Sequence, residues 1–137
     1  MSKQHVEDSL AVVRRFYEAF SRRDDAALLA LVADDAEWTA YGPPEVPFTG
    51  TWRGKQELVG YYAAVRGTLD VREYDPREFV VDGGTVLVLG HVVAIARPTG
   101  KTFESDFAHV YTVRGGLLTS YRNFLDTAAL LRALHPD

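Results

Sequence analysis

Hydrophobic and polar side chains alternate most regularly along residues 101–114, KTFESDFAHVYTVR. The even-numbered residues of this stretch form one set, and the odd-numbered residues, with three aromatic side chains and a histidine, form the other. A two-residue period rich in aromatic and β-branched residues predicts a strand. Gly115-Gly116 predicts a tight turn, because glycine adopts positive φ at little cost, so residues 117–125 are expected to be the antiparallel partner.

Helical spacing opens the chain and strand patterns close it. In the first helix, apolar residues recur at Val6, Leu10, Val13, either Phe16 or Tyr17, and Phe20. Further helices are predicted at 26–32, 54–66 and 127–135, and further strands at 36–41, 69–81 and 85–97. Asp24 and either Asp126 or Thr127 are candidate N-caps, and residues 42–53 are expected to stay an irregular loop. This order predicts an α+β protein with one mostly antiparallel sheet, as a single domain over residues 1–137.

The strand at 85–97 has a face of small side chains and a face of larger ones. The small face carries Val86, Val88, Gly90, Val92, Ala94 and Ala96. Small side chains that face helices leave space that something must fill. We therefore expect a pocket between the sheet and the helices.

Composition excludes several classes of function. The net charge of −4, without a basic tract, argues against unspecific nucleic-acid binding. The chain has no cysteine, which excludes disulfides, thiolate nucleophiles and zinc–thiolate sites, and no metal site or cofactor is predicted. The first residues lack the apolar core of a signal peptide, and no run reaches membrane-spanning length. A cytoplasmic location without membrane contact is the expectation.

Three segments carry a resemblance to a known family: VVRRFYEAFSRRDDAALLALVADDAEW at 12–38, FTGTWRGKQEL at 48–58 and HVYTVRGGLLTSYRNFLDTAAL at 109–130. With these segments the chain resembles the nuclear transport factor 2-like superfamily, in its SnoaL-like and ketosteroid-isomerase-related branch. The resemblance implies a cystatin-like α+β barrel, in which a cone-shaped, curved sheet wraps around N-terminal helices and encloses a central pocket. Family members include isomerases, cyclases, dehydratases, epoxide hydrolases and plain ligand binders, so the fold leaves the function open.

The catalytic residues of two branches of the family are missing. The positions that match the ketosteroid isomerase acid–base set are Ala40, Phe16 and Ala108. The positions that match the limonene epoxide hydrolase set are Gly90, Val92, Asn123, Trp38 and Ala40. None of these residues has the type that the chemistry requires, so neither steroid-type isomerisation nor epoxide hydrolysis is expected.

The resemblance also implies which side chains face the pocket. In the register that it gives, Asp106 is the one carboxylate deep in the sheet, and we predict it to be the catalytic acid. Apolar neighbours and Glu104 on the same face would raise its pKa, whereas pairing with Arg97 or Arg122 would make it structural. The predicted substrate-binding residues are Phe16, Phe20, Trp38, Tyr41, Val92, Ala108, Tyr121 and Asn123.

The larger face of the sheet has no chain segment left to cover it. We expect it to form a homodimer interface that includes His91, Val93, Phe107, His109 and Tyr111, as the resemblance also implies. The function predicted for the pocket is binding of a small, largely apolar molecule, with acid/base chemistry of the isomerase, cyclase or lyase type through Asp106. The alternative is a non-catalytic ligand binder or a dimeric interaction module.

Overall fold

The computed structural model describes residues 3–137, with side chains from residue 8 onward. The helices are α1 (Lys3–Ser21), α2 (Asp25–Ala30), α3 (Gly54–Thr68) and α4 (Thr127–Leu134). The strands are β1 (Val32–Ala40), β2 (Gly50–Arg53), β3 (Leu69–Asp82), β4 (Thr85–Ala96), β5 (Thr102–Arg114) and β6 (Leu117–Leu125). The predicted α+β order is confirmed, apart from β2, which lies in the stretch predicted to be irregular. The predicted role of Val6 lies outside the described side chains.

The six strands form one curved, unclosed sheet in the order β2-β1-β6-β5-β4-β3. β1 and β6 run parallel, and every other neighbouring pair is antiparallel. Pro76 lies in the edge strand β3, where a missing N–H costs no ladder bond on the open side, and a register shift follows it. Helices α1 and α3 lie against the concave face, so the curved sheet wraps around them as the sequence predicted.

Two aspartates begin helices as expected. The Asp24 carboxylate accepts a hydrogen bond from the Ala27 N–H at 3.1 Å, and the Asp126 carboxylate accepts one from the Ala129 N–H at 3.0 Å. Each such cap stabilises its helix by about 1 kcal/mol. The Asp126 cap also fixes where β6 ends and α4 begins, and the Asp126 N–H donates to the Ser105 hydroxyl of β5.

The register between β4 and β5 decides which side chains face the helices. Val92 lies opposite Ser105, Gly90 opposite Phe107, and Val88 opposite His109. Directly opposite residues of an antiparallel pair share one face of the sheet. The even-numbered residues of β4 therefore share the inner face with the odd-numbered residues of β5, and the burial of both strands follows this rule.

The prediction that the even-numbered side of β5 faces inward is wrong. The physical reason is size complementarity across the two strands. A Cβ atom at Gly90 would overlap the Phe107 ring and lie 2.5 Å from the Asp75 carbonyl oxygen. The small face of β4 thus makes room for the large face of β5.

Candidate functional site

A cavity of about 50 Å³ lies between the inner face of the sheet and helices α1 and α3. Its walls are mainly aromatic and aliphatic. The lining residues are Phe16, Phe20, Phe48, Tyr61, Tyr62, Val65, Leu69, Val71, Tyr74, Val92, Phe103, Phe107, His109, Tyr121, Asn123 and Leu125. An apolar cavity of roughly 150 Å³ holds one benzene molecule. A ring-sized ligand therefore fits only after a lining side chain moves.

His109 is the one ionisable imidazole among the lining residues, and it is 2% exposed. Its Nδ1 lies 2.8 Å from the Tyr17 hydroxyl, and the Phe107 ring stacks on the imidazole at a centroid distance of 4.1 Å. Burial lowers the pKa of His109 to about 3, so the ring is neutral at pH 7. Burial also raises the pKa of Tyr17, which keeps the phenol protonated and able to donate.

The 2.8 Å contact with Tyr17 fits either tautomer of the neutral imidazole, because a phenol can donate or accept. We assign Nδ1 as the acceptor, which places the single ring proton on Nε2. The Tyr111 and Tyr74 hydroxyls also lie near this atom, at 3.4 and 3.5 Å from Nδ1. The cavity wall thus holds a neutral imidazole whose Nε2–H is a hydrogen-bond donor.

Asn123 is the second polar side chain in this wall. It lies directly opposite His109 in the β5–β6 register and is 8% exposed. It is close enough to His109 and to the Tyr61 hydroxyl to affect the pKa of both groups, and burial raises the pKa of Tyr61 to about 12. Its Oδ1 is buried and accepts no direct hydrogen bond from the described part of the chain, and its position beside the His109 ring raises the pKa of that ring against the larger lowering by burial. A buried acceptor without a partner costs roughly 1–3 kcal/mol, which a ligand donor would recover.

Asp106 does not face the cavity, so the prediction that it is a pocket acid is wrong. Its side chain is 88% exposed on the outer face of the sheet, where its Oδ1 lies 2.9 Å from His91 Nδ1. Glu104 Oε2 lies 3.1 Å from the Nε2 of the same ring. These two carboxylates raise the pKa of His91, first through the hydrogen bond with Asp106 and then through that with Glu104.

The other predicted site residues divide between the two faces. Those that line the cavity are Phe16, Phe20, Val92, Tyr121 and Asn123. Trp38 is buried behind Tyr121, at a ring distance of 5.2 Å, and its Nε1–H donates to the Tyr62 hydroxyl at 3.0 Å. Two placements are wrong: Ala108 lies on the outer face, and Tyr41, 46% exposed, stacks on Phe124 outside the cavity.

The reversed parity of β5 also changes the predicted dimer face. Phe107, His109 and Tyr111 are buried on the inner side, so their assignment to an outer interface is wrong. His91 and Val93 do lie on the outer side. The sequence contained a signal for His109, because this histidine shares the odd-numbered set of β5 with aromatic residues two positions away on either side.

Neither a metal centre nor a membrane segment is present in the described part of the chain. Among the described side chains, from residue 8 to residue 137, no group of three or more His, Cys, Asp or Glu is placed to hold a metal ion. Over the same residues no helix combines the length and apolar character that a membrane crossing requires. The cytoplasmic location stays a prediction.

Comparison with known proteins adds the family context. The family model of the SnoaL-like domain matches residues 13–121. An NTF2-like protein of Burkholderia xenovorans is 35% identical, with 95% of this chain and 98% of that chain covered and a TM-score of 0.86. An NTF2-like protein of unknown function from Burkholderia pseudomallei is 30% identical, with 98% of both chains covered and a TM-score of 0.86.

A third similar structure holds an organic molecule. TerC, co-crystallised with polyporic acid, is 28% identical, with 93% of this chain and 98% of that chain covered and a TM-score of 0.83. Comparison with curated proteins gave no match.

Proposed function

The chain belongs to the SnoaL-like family, and on that premise we propose that its cavity binds a small, largely apolar molecule through a ring hydroxyl or enolic oxygen. The observation that carries this proposal is the polar pair in the aromatic wall. His109 offers a donor at Nε2, and Asn123 offers an unsatisfied acceptor at Oδ1. A hydroxyl group can accept from the first and donate to the second, so it satisfies both side chains at once.

The apolar walls supply most of the binding energy and the polar pair supplies orientation. Phe16, Tyr62 and Tyr121 offer flat faces to a planar ligand. A site whose buried polar groups need a partner discriminates strongly against a ligand that lacks the matching hydroxyl. The ligand class is therefore a small phenol or enol rather than a hydrocarbon. The co-crystal of TerC with polyporic acid supports the occupation of this fold by an organic molecule.

Isomerase-, cyclase- or lyase-type chemistry is the second candidate, and the protonation state of His109 favours it. A neutral buried imidazole that donates from Nε2 stabilises the oxygen of an enol or enolate without adding a charge to the cavity. The family resemblance to such enzymes supports the same reaction type. His109 is a poor general base because its pKa lies near 3, so the chemistry would depend on stabilising the enolic oxygen.

The test compares 4-methylphenol with toluene, which has the same ring and lacks the hydroxyl. We expect the parent protein to bind 4-methylphenol at least tenfold more tightly than toluene in an NMR titration. Asn123→Leu should abolish most of that preference, because it removes the acceptor for the ligand hydroxyl.

The matched control for this test is His91→Gln, which lies on the outer face and should leave both affinities unchanged. Equal binding of the two compounds by the parent, or an unchanged preference in Asn123→Leu, would contradict the proposal.

A further inference from the structure

A second space adjoins the cavity at the ends of helices α1 and α3. This cleft measures about 290 Å³. Its lining residues are Phe20, Ser21, Arg23, Val65, Arg66, Leu69, Val71, Arg72, Tyr74 and Arg97. It shares Phe20, Val65, Leu69, Val71 and Tyr74 with the cavity. Only a layer of these shared side chains therefore separates the cleft from the cavity. We expect a ligand to enter the cavity from the cleft.

Phe20 and Tyr74 form the boundary between the two spaces. Their ring centroids are 4.8 Å apart, and both rings line the cleft and the cavity. The Tyr74 hydroxyl reaches to 3.5 Å from His109 Nδ1, so one side chain spans from the cleft to the polar pair. Because the cavity is too small for a ring, displacement of these two side chains joins the spaces into one site that reaches from His109 to the cleft.

The cleft is strongly basic in a chain whose net charge is −4. Its lining contains four arginines and, within the described part of the chain, no aspartate or glutamate. Asp70 partly balances three of them, with oxygen–nitrogen distances of 2.8 Å to Arg72, 3.6 Å to Arg23 and 4.0 Å to Arg97. Four guanidinium groups share two carboxylates, since Asp25 pairs with Arg66, so positive charge remains in excess.

The Arg66 guanidinium is only partly used by protein acceptors. Its guanidinium lies over the Phe20 ring at 5.6 Å, and its Nε and Nη2 atoms are shielded from solvent without a hydrogen bond. Nη2 forms an ion pair with Asp25 Oδ1 at 2.8 Å, whereas Nε has no acceptor within the described part of the chain. Arg97 is held beside it, because its Nε donates to the Arg66 carbonyl oxygen at 2.6 Å. Two guanidinium groups thus lie side by side at the cleft.

We propose that the ligand carries a carboxylate, which binds Arg66 and Arg97 in the cleft while its hydroxyl-bearing ring occupies the cavity. This inference rests on the proposed function of the cavity. Guanidinium groups bind the two oxygens of a carboxylate in parallel, and a single negative charge suits the partly balanced arginines. The ligand class is therefore a small aromatic or enolic carboxylic acid with an apolar body and a polar group at each end.

The experiment uses 3-(4-hydroxyphenyl)propionate and its neutral amide, 3-(4-hydroxyphenyl)propanamide, in calorimetric titrations. We expect the parent to prefer the acid roughly tenfold or more, the effect of one charge-assisted hydrogen bond. Arg66→Gln and Arg97→Gln should each remove most of the preference without changing affinity for the amide. Arg122→Gln, on the outer face, should change neither. If Arg66→Gln fails to fold in a thermal melt, Arg97→Gln carries the test.

Equal affinity for acid and amide, or a preference that survives both cleft variants, would overturn the inference. Tighter binding of 2-(4-hydroxyphenyl)ethyl phosphate than of the acid would overturn the choice of carboxylate. Asn123→Leu separates this inference from the proposed function. If Asn123→Leu weakens the amide while the cleft variants have no effect, the cavity function holds and the inference fails. If the cleft variants weaken binding of the acid while Asn123→Leu changes neither affinity, the inference holds for the cleft and the cavity function fails.

Discussion

At the scale of the residue, two histidines on opposite faces of the sheet have opposite electrostatic surroundings. His109 is enclosed by aromatic rings, and burial holds its pKa near 3. His91 lies between Asp106 and Glu104 on the outer face, and these carboxylates raise its pKa. Alternation along β5 alone does not distinguish the faces, because either set of side chains contains a titratable group. Once the inward-facing set of β5 is known, the polar candidate in the cavity wall is the neutral imidazole of His109 and not the carboxyl group of Asp106.

The buried His109 predicts a loss of stability in mild acid. Its folded pKa of about 3 lies below the ordinary value of 6.5, so the unfolded chain binds a proton that the folded chain excludes. The free energy of unfolding should therefore fall as the pH drops from 6.5 toward 3, by roughly 2 kcal/mol between pH 7 and pH 5 from this group. Urea unfolding of the parent and of His109→Gln at pH 7 and pH 5 measures this change in the free energy of unfolding. The variant should lose the part of the pH dependence that comes from His109.

His91→Gln is the matched comparison, and its sign is opposite. A raised folded pKa gives stability that is present at low pH and lost as the pH rises through that pKa. Removing His91 should therefore make the acid loss steeper. If His109→Gln keeps the full slope of the parent, His109 is not the buried neutral group described above.

At the scale of the element, the inner surface depends on the pairing of a small strand with a large one. The sequence separates the small and large faces of β4 correctly, since these depend on local alternation. It does not determine how β5 pairs with β4, because the length and shape of the connection at residues 97–101 set the register. A shift of one residue reverses every side chain of a strand. The sequence placed Val92, Tyr121 and Asn123 on the correct face. It placed Asp106 and Ala108 of β5 on the wrong face, because the register between β4 and β5 was not determined.

Gly90→Ala tests this pairing. The added Cβ has no room between the Phe107 ring and the Asp75 carbonyl oxygen, which is a backbone atom of the neighbouring strand. We expect a loss of roughly 1–3 kcal/mol in the free energy of unfolding, as is typical of overpacked cores. Gly67→Ala in α3 is the control, because nothing lies within 4 Å of its added Cβ and alanine favours a helix. Equal stability of the two variants in urea unfolding would argue against the register.

At the scale of the whole molecule, the element order and the alternation predicted the fold, because each helix and strand carries its own local pattern. The resemblance at 12–38, 48–58 and 109–130 then gave the wrapped architecture. The cavity was harder to predict, since it depends on contacts between distant elements, such as Tyr17 of α1 with His109 of β5. The sheet is unclosed, with β2 and β3 at its edges, and its outer face remains exposed.

We propose that a second copy of the chain covers this outer face. A row of side chains crosses it, from Leu89 through Ala108 and Phe124 to the stacked Tyr41. Leu89, Phe124 and Tyr41 are 37%, 40% and 46% exposed, and clustered exposed apolar side chains mark an interface. Light scattering at micromolar concentration should give twice the chain mass of 15.2 kDa.

Phe124→Glu should shift that mass to the monomer, because a charge at the centre of an apolar interface is costly. Val59→Glu is the control, since Val59 is 56% exposed on helix α3, away from the sheet face. A stable parent monomer, or a dimer that Phe124→Glu leaves intact, would contradict the proposed dimer.

The central claim is that neutral His109 and Asn123 together bind a ligand hydroxyl. The most direct measurement is the ¹⁵N–¹H NMR spectrum of the His109 imidazole at pH 7, recorded while 4-methylphenol is added. The account predicts a neutral ring with its proton on Nε2 in the free protein, and a change in the Nε2–H signal as the hydroxyl accepts its hydrogen bond. A protonated ring, a proton on Nδ1, or an Nε2–H signal that stays unchanged at saturation would contradict it.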